Sequence, residues 1–116
     1  MATEERRSLP RRHLYYYSRV YDEATRQQVG RLVDISAEGM MLVSETPIDN
    51  NTRFKFKLIL PKPIEGKREL HLEAESKWSR QALNQSLYDN GFKLVNVSYR
   101  DASMIGQLIH STGFRY

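Results

Sequence analysis

The stretch VGRLVDISAEGMMLV, residues 29–43, decides the fold because its two apolar runs flank a short polar turn. Asp34 and Ser36 share one side of a period-two pattern, opposite the apolar Ile35, so both point the same way from one strand end. Gly39 closes the turn, where glycine can adopt the positive φ that other residues avoid. The stretch therefore predicts an antiparallel hairpin that presents two polar side chains at its turn.

The composition of the whole chain is that of one soluble globular domain. It has 116 residues, 40% hydrophobic and 28% charged, with a net charge of +4. No apolar run is long enough for a transmembrane helix, and the N-terminus lacks the apolar segment of a secretory signal. The absence of cysteine excludes a disulfide scaffold and thiolate metal sites, in agreement with a cytoplasmic protein. The positive charge favours anionic partners.

Alternating apolar and polar residues predict antiparallel strands along most of the chain. The clearest case is residues 53–60, where phenylalanine and leucine alternate with arginine and lysine. The predicted strands cover residues 14–21, 27–36, 40–45, 53–60, 69–80 and 91–97.

The segments between the strands predict how the chain closes. Two prolines predict a turn over residues 61–66, and Ser98 is the predicted N-cap of an amphipathic helix over residues 100–110. Because no helix crosses over between strands, we expect an all-β fold. The expected fold is a six-stranded antiparallel β-barrel with a C-terminal α-helix packed against it.

The N-terminal segment differs from the rest in character. Four arginines lie among residues 6–12, with Pro10 between them and no apolar periodicity. This pattern predicts a flexible arginine-rich arm over residues 1–13, followed by a single barrel domain over residues 14–116.

Two motifs, taken together, resemble the signature of the PilZ domain family, bacterial receptors for cyclic di-GMP. Arg7 and Arg11 match an RxxxR element, and Asp34, Ser36 and Gly39 match a (D/N)xSxxG element. The resemblance covers nearly the whole chain, including the six strands, a tryptophan late in the fifth strand and the terminal helix. It implies that the two arginines hold phosphate and guanine groups while the second motif forms the barrel side of the site.

The chemistry of these residue types fits that ligand. Guanidinium groups match phosphate oxygens and the guanine O6/N7 edge, and the carboxylate of Asp34 can accept from guanine N–H donors. In this family the residue just before RxxxR influences whether one ligand or an intercalated pair binds, so Arg6 implies two ligands per site. The resemblance further implies a bacterial, cytoplasmic receptor that is not an enzyme, has no cofactor besides its ligand and signals to an unidentified effector protein.

Trp78 has two interpretations. It is in phase with Leu70, Leu72 and Ala74, which predicts a place in the core. In some PilZ proteins the tryptophan of the fifth strand lies against a bound guanine, so the resemblance implies that Trp78 contacts the ligand.

Other functions are less well supported by the sequence. The three histidines are scattered, and none accompanies Asp34 and Ser36, so neither a metal site nor a hydrolytic centre is predicted. A small basic barrel could bind single-stranded nucleic acid through arginines and tyrosines, but glutamates along residues 69–75 interrupt any basic groove. A PilZ-like adaptor without ligand is the other alternative, and the intact motifs weigh against it.

Overall fold

The computed structural model describes residues 18–84 and 86–112. In these residues the chain forms six strands and one helix, with the following bounds. The strands are β1 (Arg19–Asp22), β2 (Gln28–Ile35), β3 (Gly39–Ser44), β4 (Arg53–Ile64), β5 (Lys67–Gln81) and β6 (Tyr88–Val95), and the helix is α1 (Tyr99–Thr112). The strands close into an antiparallel barrel in the order β1-β2-β3-β6-β5-β4. The predicted fold class is confirmed.

The barrel interior is filled by side chains that alternate along the strands. The buried apolar strand residues are Val20, Leu32, Val33, Ile35, Met40, Leu42, Phe56, Leu58, Leu60, Ile64, Leu70, Leu72, Ala74, Phe92 and Leu94. Phe56 and Phe92 meet edge to face across the interior, with ring centroids 5.2 Å apart. Each fully buried side chain of this size contributes about 1.5–3 kcal/mol of transfer free energy, so this interior is the main source of stability.

Helix α1 packs against β4 and β5. Its buried face consists of Met104, Ile105 and Leu108, none more than 2% exposed. The helix begins as predicted, since the Ser98 hydroxyl accepts a hydrogen bond from the Asp101 backbone N–H at 2.9 Å. The Asp101 carboxylate in turn accepts from the Ser98 N–H at 3.3 Å, which completes a reciprocal cap.

The predicted turn over residues 61–66 is wrong. Strand β4 continues to Ile64, and the connection to β5 is only Glu65 and Gly66, both with positive φ. The two prolines are tolerated because the regular pairing with β5 stops after Ile59 and resumes at Ile64. In this irregular stretch the missing N–H of proline costs no ladder hydrogen bond.

Strand β6 begins earlier than its predicted start because a polar residue is satisfied inside the barrel. Asn90 is 0% exposed, and its amide nitrogen donates to the Ser44 hydroxyl at 2.8 Å and the Leu42 carbonyl at 3.2 Å. Its amide oxygen accepts from the Ser79 hydroxyl at 2.6 Å. A polar sequence here therefore belongs to the core and not to a loop.

Two predictions fall wholly or partly outside the described residues. The arginine-rich arm over residues 1–13 is one of them. The strand predicted over residues 14–21 is the other: its described part forms β1 from Arg19, while residues 14–17 lie outside.

Candidate ligand-binding site

Four strands place Asp34 and Trp78 on one outer face of the barrel. The register pairs Asp34 with Met41, Met41 with Gly91, and Gly91 with Trp78. These four residues form a transverse row across β2, β3, β6 and β5. With neighbouring strands about 4.8 Å apart, the row covers about 14 Å along the barrel surface. It is the floor of the candidate site.

A β-bulge in β2 turns Asp34 outward. Leu32 pairs with Leu42 and Asp34 with Met41, so Val33 is an extra residue between them. Leu32 is fully buried, and in a regular ladder without a bulge Asp34, two residues later, would share its inward direction. The outward direction predicted for Asp34 is confirmed, and the bulge is its cause.

A second β-bulge, in β5, turns Trp78 outward. Ser76 pairs with Phe92 and Trp78 with Gly91, so Lys77 is the extra residue. Ser76 is 1% exposed and points inward, whereas Trp78 is 39% exposed on the outer face. The core interpretation of Trp78 is wrong, because the bulge reverses the phase of the strand after Ser76.

The indole of Trp78 lies directly on the backbone of Gly91. A Cβ added at Gly91 would lie 2.2 Å from the indole atoms Cε2 and Nε1, a distance that no real side chain tolerates. The guanidinium carbon of Arg80, the next outward residue of β5, lies 4.9 Å from the centroid of the indole. The glycine therefore fixes how closely the ring can approach the barrel wall.

The turn between β2 and β3 is held by Ser36. Its backbone N–H donates to the Gly39 carbonyl at 2.8 Å, and its hydroxyl accepts from the N–H groups of Glu38 at 3.2 Å and Gly39 at 3.3 Å. Because both bonds use lone pairs of the hydroxyl, its proton can still be donated to a ligand. Ser36 therefore shapes the turn and presents a donor at the same point.

The reason for glycine at position 39 differs from the prediction. Among the described residues the glycine with positive φ is Gly66, and Gly39 is the first residue of β3. A Cβ at Gly39 would lie 2.8 Å from the carbonyl oxygen of Phe92. Glycine is required here because β3 and β6 approach closely, not because of the turn.

Between these groups lies an open cavity of about 430 Å³. Asp34 borders one side, where its carboxylate accepts from the Ile35 N–H at 2.9 Å. Lys77 and Lys93 border the site on β5 and β6 and add positive charge, although Lys77 also contacts Glu75 at 3.4 Å. Glu38 lines the cavity as well, so two carboxylates, a hydroxyl, an aromatic face and two ammonium groups surround it, which suits a planar ligand that carries both hydrogen-bond donors and acceptors.

The structure thus brings together four of the predicted site residues. Asp34, Ser36, Gly39 and Trp78 surround the cavity. The remaining predicted contacts, Arg6, Arg7 and Arg11, lie outside the described residues.

The sequence prediction missed the lining residues Met41, Gly91, Lys77 and Lys93. They belong to no motif, and only the register after the two bulges places them here.

The described part of the chain, residues 18–84 and 86–112, contains no group of three or more metal-ligating side chains that could hold a metal ion. Within the same residues, no helix has the length and apolar character needed to cross a bilayer.

Fold and site together define a class: a closed six-stranded antiparallel barrel with a C-terminal helix and a DxSxxG turn between its second and third strands. The chain belongs to the PilZ domain family, whose model matches residues 5–111.

The following two are among the solved structures that are similar to this chain. The PilZ domain with c-di-GMP of YcgR from Escherichia coli has a TM-score of 0.62 and 19% identity, covering 83% of this chain and 80% of that one. The Bacillus subtilis inhibitor of motility, MotI/DgrA, has a TM-score of 0.58 and 14% identity, covering 85% of this chain and 47% of that one. At these identities the likeness shows the fold. No protein with a curated description matches the chain.

Proposed function

We propose that this chain is a receptor for cyclic di-GMP, that it binds the ligand on the outer face of the barrel, and that it is not an enzyme. The observation that supports this most directly is the row from Asp34 to Trp78, which gathers the DxSxxG turn and an exposed indole around one cavity. Membership of the PilZ family adds support, as does the similar Escherichia coli PilZ domain solved with c-di-GMP.

Each barrel residue has a role that its geometry allows. Asp34 accepts hydrogen bonds from the N1–H and N2–H groups of a guanine, and Ser36 donates its hydroxyl proton. Trp78 offers a face for base stacking, which is worth about 1–3 kcal/mol per base. A charge-assisted hydrogen bond adds roughly 1.5–3 kcal/mol, so the barrel contributes a substantial part of a micromolar affinity, about −8 kcal/mol.

The arginine arm completes the proposed site. In this proposal Arg7 and Arg11 hold phosphate and guanine groups, and Arg6 stacks beyond the first guanine so that two ligands bind per site. The arm, residues 1–13, becomes ordered over the barrel domain, residues 14–116, when the ligand joins them. The new surface of arm and ligand then signals to a separate effector protein in the bacterial cytoplasm.

Charge placement favours this proposal over binding of single-stranded nucleic acid. On the outer face of β4 and β5 the register pairs Arg53 with Glu75 and Lys55 with Glu73. Each basic residue of these pairs therefore faces an acidic one across the strands, and this face offers no continuous basic groove.

The experiment that tests the proposal is a calorimetric titration of cyclic di-GMP into the full chain and three variants. Asp34→Asn keeps an acceptor for the Ile35 N–H but removes the charge, so we expect the affinity to fall by about 10- to 100-fold. Arg7→Ala should lose binding to a similar degree. Arg12→Ala removes an arginine from the same arm outside the motif and should stay within about twofold of the unmodified protein.

Two results would contradict the receptor function. Folded protein that gives no heat with cyclic di-GMP would instead indicate a ligand-free adaptor. Tight binding of a single-stranded oligonucleotide that cyclic di-GMP does not displace would indicate a nucleic-acid-binding barrel.

A further inference from the structure

The indole of Trp78 is covered on its outer side by Arg80, two residues further along β5. The guanidinium carbon of Arg80 lies over the ring, 4.9 Å from its centroid. The backbone of Gly91 lies against the same ring, so close that a Cβ there would lie 2.2 Å from the indole atoms Cε2 and Nε1. The guanidinium therefore occupies the face of the indole that Gly91 leaves open.

No ion pair holds Arg80 in this position. Within residues 18–84 and 86–112, no carboxylate lies within 4.0 Å of its guanidinium, whereas the exposed Arg100 contacts Glu65 at 3.8 Å. The directly paired residue in β6 is Asp89, which faces the same side of the sheet. Directly paired residues have Cβ atoms about 4.5–5.5 Å apart, so a rotation of the arginine side chain brings its guanidinium to the Asp89 carboxylate. Arg80 thus has two favourable positions, one on the indole and one on Asp89.

The contact between Arg80 and Trp78 competes with base stacking. In the proposed function a guanine stacks on the indole, and it needs the open face of the ring. The guanidinium occupies that face, so a base stacks there only after the cation has moved away. Each gain from stacking is therefore reduced by the loss of the cation–π contact.

We propose that Arg80 is a cover of the Trp78 indole that lowers the affinity for cyclic di-GMP. The guanidinium stays on the ring until a base displaces it, and Asp89 then accepts the displaced group. An exposed cation–π contact corresponds to about 2- to 5-fold in an equilibrium constant, and this is the factor by which the cover weakens binding. The inference rests on the proposed function, since the cover competes with that ligand.

The test is a calorimetric titration of cyclic di-GMP into the full chain and two variants. Arg80→Ala removes the cover and should bind about 2- to 5-fold more tightly. Asp89→Asn removes the acceptor for the displaced guanidinium and should bind about twofold less tightly. Both changes have the sign opposite to that of long-range electrostatics. For an anionic ligand, loss of a positive charge by itself weakens binding and loss of a negative charge strengthens it.

Two controls connect the effect to the indole. In a chain that already carries Trp78→Ala, adding Arg80→Ala should change the affinity by less than about 1.5-fold, because no ring remains to be uncovered. Arg68→Ala removes an exposed arginine near the other end of the same strand and should not strengthen binding.

A second measurement does not need the ligand. Trp78 is the only tryptophan of the chain, so collisional quenching of its emission by acrylamide reports how open the ring is to solvent. Quenching should be stronger in Arg80→Ala than in the unmodified chain, and Arg68→Ala should leave it unchanged.

The outcomes separate this inference from the receptor function. No binding of cyclic di-GMP to the unmodified chain overturns both. Where the ligand binds, unchanged or weaker affinity in Arg80→Ala overturns only the cover. An equal gain in the Trp78→Ala background, or equal acrylamide quenching with and without the arginine, also overturns it. Unchanged or tighter binding by Asp89→Asn overturns the role of Asp89 as the acceptor.

Discussion

At the scale of single residues, the contact between Trp78 and Gly91 determines the shape of the site. The backbone of Gly91 supports the indole, and no side chain other than hydrogen leaves room for it. The ring is 39% exposed, so it can swing into solvent without opening the core. Position 91 therefore controls whether an aromatic face is presented on the same outer face of the barrel as Asp34 and Met41.

We expect Gly91→Ala to displace the indole while the fold persists. The free energy of unfolding should change by less than about 1 kcal/mol, because the clash is with an exposed side chain. Cyclic di-GMP affinity should fall by about 5- to 100-fold as the stacking of one base is lost. Tryptophan emission should shift to the red, which fluorescence spectroscopy measures.

The control for this variant is Gly106→Ala in α1, where an added Cβ meets nothing within 4 Å. It should leave both emission and affinity unchanged. Unaltered emission and affinity in Gly91→Ala would show that the indole does not depend on this glycine.

Two buried serines should respond oppositely to replacement by alanine. The Ser18 hydroxyl is buried and has no hydrogen-bond partner in the described structure, so Ser18→Ala should stabilise the protein by about 1 kcal/mol. The Ser76 hydroxyl accepts from the Thr52 N–H at 3.0 Å and donates to the Asp49 carbonyl, so Ser76→Ala should destabilise it by about 1–3 kcal/mol. Chemical denaturation measures the free energy of unfolding of both variants. Equal changes in the two would contradict the difference in hydrogen bonding between Ser18 and Ser76.

The site residues differ in how far the sequence could predict them. Asp34 and Ser36 follow from local periodicity and the motif, because both act within their own turn. The role of Gly39 could not be predicted, since it depends on the carbonyl of Phe92 in a strand distant in sequence. The outward direction that Trp78 and Arg80 share could not be predicted either, because it follows from the bulge at Lys77.

At the scale of strands, two bulges build the site. The alternation in residues 53–60 predicted the inward face of β4 correctly because the pairing there is regular. In β5 the same reasoning failed after Ser76, since one unpaired residue reverses the phase and the sequence has no local sign of it. In β2, by contrast, the consecutive apolar residues Leu32 and Val33, both buried, are a local sign of the bulge.

Deleting the extra residue Lys77 should be tolerated. Ser76 already pairs with Phe92 and Trp78 with Gly91, so removing Lys77 converts the bulge into a regular ladder in the same register. We expect the variant to fold with Trp78 still outward and to lose at most about 1 kcal/mol from its exposed contact with Glu75. Circular dichroism and tryptophan emission measure this outcome.

The matched control deletes Ala74, which is 0% exposed in the regular part of β5. That deletion turns every later residue of the strand to the opposite face and should prevent folding. Deletion of Lys77 could instead unfold the protein or give the blue-shifted emission of a buried indole. Either result would show that the register of β5 is not the cause of the outward direction of Trp78.

At the scale of the whole molecule, the barrel is complete without the arginines of the arm. Among the described residues, six strands close the barrel around a buried apolar core, and helix α1 covers β4 and β5. The net charge of +4 correctly indicated some basic character, but only the cross-strand register shows that Arg53 and Lys55 face glutamates. The arm is therefore expected to contribute to ligand binding and not to the stability of the free protein.

These separate roles of the arm and the barrel predict how the ligand stabilises the protein. At a concentration of about 100 times its dissociation constant, cyclic di-GMP should raise the free energy of unfolding by about 2.7 kcal/mol, because it binds only the folded state. For a domain of this size, each kcal/mol added to the free energy of unfolding raises Tm by roughly 4 °C or more.

The triple variant Arg6→Ala, Arg7→Ala and Arg11→Ala should show no such rise at the same concentration. Without ligand its Tm should equal that of the unmodified chain, as should that of the control Arg12→Ala. A lower Tm in the ligand-free triple variant would show that the arm supports the barrel, and a full ligand-induced rise would show that the barrel alone binds the ligand.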